Sequence, residues 1–291
     1  MLVREPIVAG TFYGTPRERC LAHIKKISAE APDVEGLPET IVGGIVPHAG
    51  WDFSGAVAMQ VFAAIKRRRE PRTFVLFGAV HRYGIGQAAV FPHGIWRTPI
   101  GEIEVDERLA AEIVGQSGGL IVEDPYAHAE EHSIEVQVPL IQHLFSGARI
   151  VPIAVPPGAD AHRVGYDVAC IAQRQQADAV FVGSTDLTHY GPNYGFAPHG
   201  FGPEALEWVK GENDKRMLDV MTRLEAEAVC IEAQQNHNAC GAGAVAATLA
   251  AAREMGSTKG HLLAYTTSSD VMSARFGETS DSFVGYAGVV F

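Results

Sequence analysis

An apolar run passes directly into a polar cluster in the segment Val180-Phe181-Val182-Gly183-Ser184-Thr185-Asp186-Leu187-Thr188-His189-Tyr190-Gly191. Two earlier runs, in residues 45–50 and 74–81, end in the same way and carry His48 and His81 near their C-terminal ends. Short, uninterrupted apolar runs are typical of parallel strands that are covered on both faces. Ligands of open α/β sheets bind beyond the carboxyl ends of such strands. The three histidines therefore predict a functional site at one edge of a sheet.

The composition favours a globular protein over a nucleic-acid-binding or membrane protein. The chain has 291 residues, of which 47% are hydrophobic, and a net charge of −11. Its basic residues form no stripe that would meet a phosphate backbone. The one basic run, at residues 66–69, is expected to end a helix, where it complements the helix dipole. No apolar run approaches the ~18 residues that a membrane span requires.

The four cysteines are spread widely over the chain and do not suggest a disulfide framework. This spacing favours a reducing compartment, and residues 1–6 lack the features of a signal peptide, so a cytoplasmic location is expected. Cys240 follows His237 by three residues and precedes an alanine-rich helical segment. A helix dipole at that position favours a thiolate. Cys240 is therefore a metal ligand, a nucleophile or a small buried side chain.

Strand and helix patterns alternate along the chain, which predicts one α/β domain over residues 1–291 with a central, mostly parallel sheet covered by helices. Ser54 is expected to cap the helix that runs to about residue 69. Pro139 is expected either to kink a helix or to mark its start. Glu131 and Glu135 are expected on one face of that helix, and residues 192–203 are expected to fold over the crevice as a loop.

The chemistry of the predicted site depends on five polar residues. His48 and His81 are expected at neighbouring strand tips, ~4.8 Å apart, where two imidazoles could share a metal ion. Asp186 could orient His189 and raise its basicity; the alternative is that Asp186 caps a turn and His189 is exposed. His132 is either a polar residue of the site or an ordinary residue at a helix start. His128, which precedes His132 by four residues, is instead expected at the surface.

Five segments of the chain resemble the Memo family in order and spacing. They are Ala9-Gly10-Thr11-Phe12-Tyr13, Pro47-His48-Ala49-Gly50-Trp51-Asp52-Phe53-Ser54-Gly55, Glu131-His132-Ser133-Ile134-Glu135-Val136-Gln137-Val138-Pro139, Ser184-Thr185-Asp186-Leu187-Thr188-His189-Tyr190 and Asn238-Ala239-Cys240-Gly241. The resemblance implies a fold shared with class III extradiol ring-cleaving dioxygenases, which are non-haem iron enzymes. It also implies a metal pocket made by His48, His81 and Cys240, with Asp186 and His189 beside it and His189 as the acid/base. In prokaryotes, such proteins are associated with a radical-SAM protein and an AMMECR-type protein.

Two residues differ from the patterns of related proteins: Arg82 differs from the Memo family, and Cys240 differs from the dioxygenases that share its fold. Arg82 stands where the family often has a second histidine, and its charge favours an anionic substrate. Cys240 stands in place of the carboxylate with which the dioxygenases complete their ligand triad. Two histidines and a carboxylate suit iron(II) and O₂, whereas a thiolate shifts the preference towards zinc or copper(I). Ring cleavage therefore does not follow from the fold alone.

Three functional hypotheses follow. The leading one is a metal-dependent oxidoreductase with iron or copper, in which His189, Asp186 and His132 are the candidate catalytic residues. The second is a non-catalytic module that binds a small molecule, a peptide or a partner protein through aromatic residues, for which the candidates are Trp51, Phe53, Trp96 and Tyr190. The third is a zinc hydrolase with metal-bound water as the nucleophile. The sequence leaves the substrate, the physiological metal and the oligomeric state undetermined.

Overall fold

A mixed sheet of nine strands, covered by helices, forms the centre of the computed structural model, which describes residues 1–32 and 34–291. The described part of the structure has the strands β1 (Val3–Arg4), β2 (Gly43–Val46), β3 (Thr73–Gly78), β4 (Ala88–Val90), β5 (Ile95–Thr98), β6 (Gly101–Glu104), β7 (Ile121–Glu123), β8 (Arg149–Ala154), β9 (Ala179–Ser184), β10 (His189–Tyr190), β11 (His261–Thr267) and β12 (Phe283–Val290), of which β1, β5 and β6 form a second, three-stranded sheet. Its α-helices are α1 (Arg17–Glu30), α2 (Trp51–Arg68), α3 (Glu107–Gln116), α4 (Val138–Leu144), α5 (Ala161–Arg174), α6 (Pro203–Trp208), α7 (Asp214–Thr222), α8 (Val229–Asn236), α9 (Ala242–Glu254) and α10 (Ser268–Phe276).

The four central strands run parallel in the order β2-β9-β3-β8. Antiparallel neighbours flank them: β12 pairs with β2 on one side, and β4 pairs with β8 on the other. The whole sheet reads β10-β12-β2-β9-β3-β8-β4-β7, with β11 also paired to β12. The predicted α/β class with a helix-covered sheet is therefore confirmed, and the parallel strands form its centre.

The position of β9 corrects one expectation about the site. β9 lies between β2 and β3, with Gly43 opposite Phe181 and Phe74 opposite Val180. The prediction that β2 and β3 are neighbours is therefore wrong, because the chain returns after residue 178 to pair with both strands. This arrangement places the polar segment that follows β9 between the two histidine-bearing strand ends.

Close helix packing holds the sheet in place. α2 packs against β2 and β12, while α9 packs against β9, β3 and the neighbouring helix α5. At Gly165 in α5, an added Cβ would lie 2.6 Å from the Cα of Ala247 in α9. The glycine therefore lets α5 and α9 approach to backbone contact, and α9 packs directly on the sheet.

The start of α2 differs from the sequence-based expectation, whereas the start of α4 agrees with it. α2 begins at Trp51 after Gly50, so Ser54 is not its cap; the Ser54 hydroxyl donates to the Ala49 carbonyl, at 3.0 Å. The earlier start buries Trp51, whose Nε1 donates to the Val136 carbonyl, at 3.0 Å. Pro139 lies in the first turn of α4 and marks its start, as one of the two alternatives predicted.

The segment before α4 is a buried loop with short 3₁₀ turns at Pro125–His128 and Glu135–Gln137. Glu131 and Glu135 therefore do not share a helix face, contrary to expectation. Glu135 accepts hydrogen bonds from Arg4, from the Tyr13 hydroxyl and from the backbone of the N-terminal segment. Arg4 also donates to the Glu131 carbonyl, at 2.7 Å, so β1 fixes the loop that carries Glu131.

The helices of the described residues include none that combines the length and the apolar character needed to cross a lipid bilayer.

Candidate metal centre

Three polar loops meet beyond the carboxyl ends of β2, β9 and β3. They carry His48, Asp186 and His81, and the turn before α9 adds Cys240 from the side. The ligand atoms of His48, His81 and Cys240 all lie within 4.8 Å of one another. This cluster brings together the three residues that the sequence suggested as metal ligands.

The hydrogen bonds of His48 determine which of its nitrogens faces the cluster. The imidazole is buried, and its Nδ1 lies 2.9 Å from the Ser184 hydroxyl oxygen. That hydroxyl donates its own hydrogen to the Ser133 carbonyl, at 2.9 Å, so Nδ1–H is the donor to Ser184. Nε2 is then the nitrogen that faces Cys240 Sγ, at 3.1 Å. It is the nitrogen available to a metal ion.

His81 is oriented in the same way by a carboxylate. Its Nδ1 lies 3.0 Å from Glu131 Oε1, and its backbone N–H donates to Oε2 of the same group, at 2.9 Å. The Ser133 backbone N–H also donates to Oε1, at 2.9 Å. With Nδ1–H directed at a carboxylate, Nε2 is free for a metal, which is the usual carboxylate–histidine–metal arrangement.

Glu131 is better placed to orient His81 than to bind a metal itself. Its oxygens, together with His81 and His132, form a second group of possible ligands. However, both oxygens already accept hydrogen bonds from His81, and one of them accepts a third from Ser133. Burial raises the Glu131 pKa, but the hydrogen bond and charge of His81 lower it far more, so this carboxylate is ionised.

Cys240 supplies the anionic donor of the cluster. Burial raises the pKa of its thiol, but the charge of His48 and the hydrogen bonds of both histidines lower the pKa to about 5. The Asp186 backbone N–H also donates to Sγ, at 3.3 Å. A thiolate beside two imidazole Nε2 atoms is a donor set that zinc, copper and iron accept. The residues present therefore fit a single metal ion.

Asp186 lies below His48 and beside His189. Its Oδ1 accepts the His48 backbone N–H, at 2.7 Å, whereas its Oδ2 lies 4.0 Å from His189 Nε2. Burial lowers the pKa of His189, but Asp186 and Cys240 raise it above the ordinary value. His189 is partly exposed, which leaves its ring accessible from the cavity described below.

His132 belongs to the same cluster of rings. It stacks on His81, with ring centroids 4.9 Å apart, and meets His48 edge-on at 5.4 Å. Burial and the charge of His48 lower its pKa to about 4. A neutral imidazole at this position can exchange hydrogen bonds with a ligand without adding charge.

A cavity of about 540 Å³ opens in front of these rings. The aromatic and apolar residues that line it include Phe12, Phe53, Tyr194, Met272, Val284 and Tyr286. Hydroxyl groups in its lining come from Ser268, Ser269, Ser280 and Ser282. No lysine or arginine lines the cavity among the residues that the structure describes.

Several residues that the sequence placed near the site lie elsewhere. Arg82 pairs with Glu130, at 3.3 Å, and does not line the cavity, so it gives no support to the expected preference for an anionic substrate. Of the four candidate aromatic contacts, only Phe53 lines the cavity; the others are buried in the core: Trp51, Trp96 and Tyr190.

His128 was expected at the surface and is instead fully buried, so that prediction is wrong. Its ring lies against Phe91 and Trp96, and its Nε2 lies 3.0 Å from the Ala89 carbonyl oxygen. Burial lowers its pKa to about 4, and it therefore stays neutral in the core.

Sequence reasoning missed three residues of the site. Ser184 and Glu131 hold the two candidate ligand histidines, His48 and His81, and Tyr194 stacks on His189, with centroids 5.0 Å apart. Ser184 and Glu131 both lie inside the polar segments that drew attention, next to the strand end and to His132. No sequence signal singles out Tyr194, because its contact depends on how residues 191–196 turn.

Comparisons with known proteins identify the family of the chain. The sequence model of the Memo-like protein family matches residues 4–290. MEMO1 family proteins of Thermococcus onnurineus and Thermococcus kodakarensis are each 37% identical to the chain, over 100% of this chain and 99% of theirs. An uncharacterised protein of Escherichia coli K12 has a similar fold, with a TM-score of 0.53 and 10% identity, over 87% of this chain and 100% of that one. The chain therefore belongs to the Memo-like protein family.

Proposed function

We propose that this Memo-like protein is a metal-dependent redox enzyme with a dioxygenase-like site. The observation that carries the proposal is the convergence of His48 Nε2, His81 Nε2 and Cys240 Sγ, each with its remaining partners already fixed by the protein. Three protein donors leave further coordination positions of a metal ion for a ligand. The cavity in front of the rings is where that ligand would lie.

Iron or copper held by His48, His81 and Cys240 would supply redox and Lewis-acid chemistry at the base of the cavity. The thiolate favours copper(I) or zinc more than the two-histidine, one-carboxylate set of the dioxygenases does. The redox proposal therefore does not require ring cleavage. The substrate we propose is a small molecule or a peptide side chain that fits the cavity.

His189 is proposed as the acid/base of the reaction. Asp186 and Cys240 raise the pKa of His189 above its ordinary value, whereas burial and the charge of His48 lower that of His132 to about 4. Of the two histidines, His189 is therefore the one that takes up a proton more readily, as an acid/base must. Asp186 supports the charged form of His189 across 4.0 Å, and His132 would offer a neutral hydrogen-bonding group to the ligand.

The test is metal analysis of protein purified without chelators or immobilised metals, repeated after anaerobic reconstitution with iron(II). We expect near-stoichiometric iron or copper in the wild type, loss of that metal in Cys240→Ser, and retention in the matched control Cys170→Ser. Cys170 lies on α5 and is not one of the grouped donors. Full metal content in Cys240→Ser would overturn the ligand assignment.

A zinc hydrolase is the second candidate, because three protein donors with an open position also describe catalytic zinc sites. In that case the purified protein would contain tightly bound zinc. Ester or amide hydrolysis would then be lost on chelation and restored by zinc. Iron or copper at full occupancy, without hydrolytic activity in the zinc-loaded protein, would exclude this candidate.

The aromatic residues that line the cavity favour a third candidate, a module that binds a ligand without converting it. Phe12, Phe53 and Tyr194 offer apolar contact area to a peptide or small ligand. A double variant, His48→Ala with His189→Ala, separates this candidate from the enzymes. Undiminished ligand binding by that variant would favour the module, whereas lost binding would favour a role that depends on the metal.

The resemblance to the Memo family also supports association with a radical-SAM protein and an AMMECR-type protein. The wide spacing of the four cysteines supports a cytoplasmic location. Purification of the tagged chain from its native cells, followed by identification of bound proteins, tests the association. Recovery of neither protein under conditions that preserve weak complexes would count against it.

A further inference from the structure

Tyr194 covers one face of the His189 imidazole. The two rings lie 5.0 Å apart between centroids and are inclined by 23°. Aromatic pairs at such distances gain energy from contact and from ring electrostatics. Tyr194 is about half exposed and lines the cavity, so the stacked pair lies at the wall that a ligand would meet.

The chain returns to His189 through a turn that is fixed at several points. Gly191 has φ +106°, and a Cβ there would lie 2.6 Å from Ser282 Cα, so glycine is required. The Gly191 N–H donates to the Phe196 carbonyl, at 2.7 Å, and the Tyr194 N–H donates to the Gly191 carbonyl, at 3.0 Å. The Asn193 N–H donates to the Ser282 hydroxyl, at 3.2 Å. Tyr194 is thus delivered by a turn that is built into the fold.

The main chain at residues 188 and 189 is fixed by Asp214 and by the neighbouring strand β12. The Thr188 N–H donates to Asp214 Oδ1, at 3.0 Å, and the Tyr265 hydroxyl donates to Oδ2, at 2.8 Å. In β10, His189 pairs with Val284 of β12. These contacts hold the main chain but leave rotation of the imidazole about its side-chain bonds unrestrained.

The His189 imidazole is less firmly held than the main chain that carries it. Its polar contact with Asp186 Oδ2 is long: the two atoms lie 4.0 Å apart, which is ion-pair range and beyond the length of an ordinary hydrogen bond. The face contact with Tyr194 adds a close restraint on the orientation of the ring. A partly exposed histidine without that contact would sample several rotamers.

We propose that Tyr194 is a positioning residue, whose ring fixes the His189 imidazole in the orientation from which it can reach a ligand in the cavity. The proposal rests on the proposed acid/base role of His189. In this proposal, the face of the Tyr194 ring restrains the imidazole, and the Tyr194 hydroxyl is not required. Phenylalanine at position 194 should therefore suffice, whereas alanine should not.

The experiment measures how fast diethyl pyrocarbonate modifies His189 in the full-length protein, followed by peptide mass spectrometry. Tyr194→Ala should raise the rate about 2- to 12-fold, the range that the free energies of aromatic pairs predict. Tyr194→Phe should react at the wild-type rate. Tyr83→Ala, which removes a fully exposed tyrosine, is the matched control and should also react at the wild-type rate.

A second readout uses ¹³C-labelled histidine and nuclear magnetic resonance. The His189 ring signal should move in Tyr194→Ala and stay in place in Tyr194→Phe, while the His128 signal, from the core, reports that the fold is intact. A wild-type rate in Tyr194→Ala, or equal acceleration in Tyr194→Phe, would overturn the proposal. Metal content is measured on the same samples. If no sample contained metal, the proposed metal-dependent function would be contradicted, but the conclusion about ring stacking would still stand.

Discussion

The two histidines that we propose as metal ligands are oriented in the same way. Nδ1–H of His48 is directed at Ser184, and Nδ1–H of His81 is directed at Glu131, so both Nε2 atoms face the same thiol. Such partners fix the tautomer and the ring orientation before a metal arrives, and a carboxylate also raises the basicity of the ligand. Glu131 does this while it holds the backbone of residues 81 and 133.

Glu131→Gln should lower metal affinity by about 10- to 100-fold, because a neutral amide is a weaker acceptor for the His81 Nδ1–H. Affinity is measured by competition with a chromophoric chelator. Glu130→Gln is the matched control, since Glu130 is exposed and pairs only with Arg82 among the described residues. Equal affinity for the metal in both variants would show that Glu131 does not support His81.

His48 and His81 could be predicted as candidate ligands because polar residues at the ends of apolar runs are visible in the sequence, whereas Cys240 joined them through the resemblance to the Memo family. His48, His81 and Cys240 are grouped in the structure as expected, although their function as ligands stays a prediction. The partners of these residues could not be predicted. Glu131 reaches His81 only because the loop before α4 is not helical, and Arg4 of β1 holds that loop in place.

The order of the strands depends on pairing between distant parts of the chain, which local patterns do not report. Each apolar run was recognisable as a strand, yet β9 separates β2 from β3. The C-terminal helix α10 was missed, although Thr267 and Asp270 form a capping box at its start. It supplies Ser268, Ser269 and Met272 to the cavity wall. The sequence therefore predicted the polar residues at the strand ends but not the part of the cavity lining that α10 supplies.

Backbone contact between α5 and α9 makes Gly165 sensitive to substitution. Gly165→Ala should lower the free energy of unfolding by about 1–3 kcal/mol, since its Cβ would overlap the backbone of Ala247. Gly115→Ala in α3, where a Cβ meets no atom within 4 Å, should instead raise it by about 0.4–1 kcal/mol. Urea denaturation measures both changes, and a stabilising effect of Gly165→Ala would contradict the packing described.

The two ends of the chain meet around the cavity. Phe12 from the N-terminal segment and Tyr286 from β12 both line it, and β12 pairs with β2 at the sheet's centre. Asp214 of α7 ties this region together, because it binds Thr188 before β10 and Tyr265 of β11. Burial raises the Asp214 pKa to about 6, although these hydrogen bonds lower it. The fold therefore keeps a carboxyl group where its charge is disfavoured.

This burial predicts a pH dependence of stability. With a pKa raised from 3.8 to about 6, Asp214 contributes stability that is fully present below pH 3.8 and lost as the pH rises through 6. At ~1.4 kcal/mol for each pH unit between the two values, the loss amounts to about 3 kcal/mol. Asp214→Asn should not show it, because an amide does not ionise and keeps an oxygen for Thr188.

Urea denaturation of the metal-free proteins between pH 4 and pH 8 checks this prediction. The stability of the wild type relative to Asp214→Asn should fall across that range. Asp219→Asn, which alters an exposed carboxylate on the same helix, serves as the control and should follow the wild type. Parallel curves for the wild type and Asp214→Asn would mean that Asp214 is ionised in the folded protein throughout.

X-ray absorption at the metal edge tests the central claim most directly, because it reports the atoms bound to the metal. Protein loaded with one equivalent of metal should show one sulfur neighbour at about 2.3 Å together with nitrogen or oxygen neighbours. Cys240→Ser should lose the sulfur contribution, and Cys170→Ser should keep it. A shell of nitrogen and oxygen alone in the wild type would contradict a metal centre built on His48, His81 and Cys240.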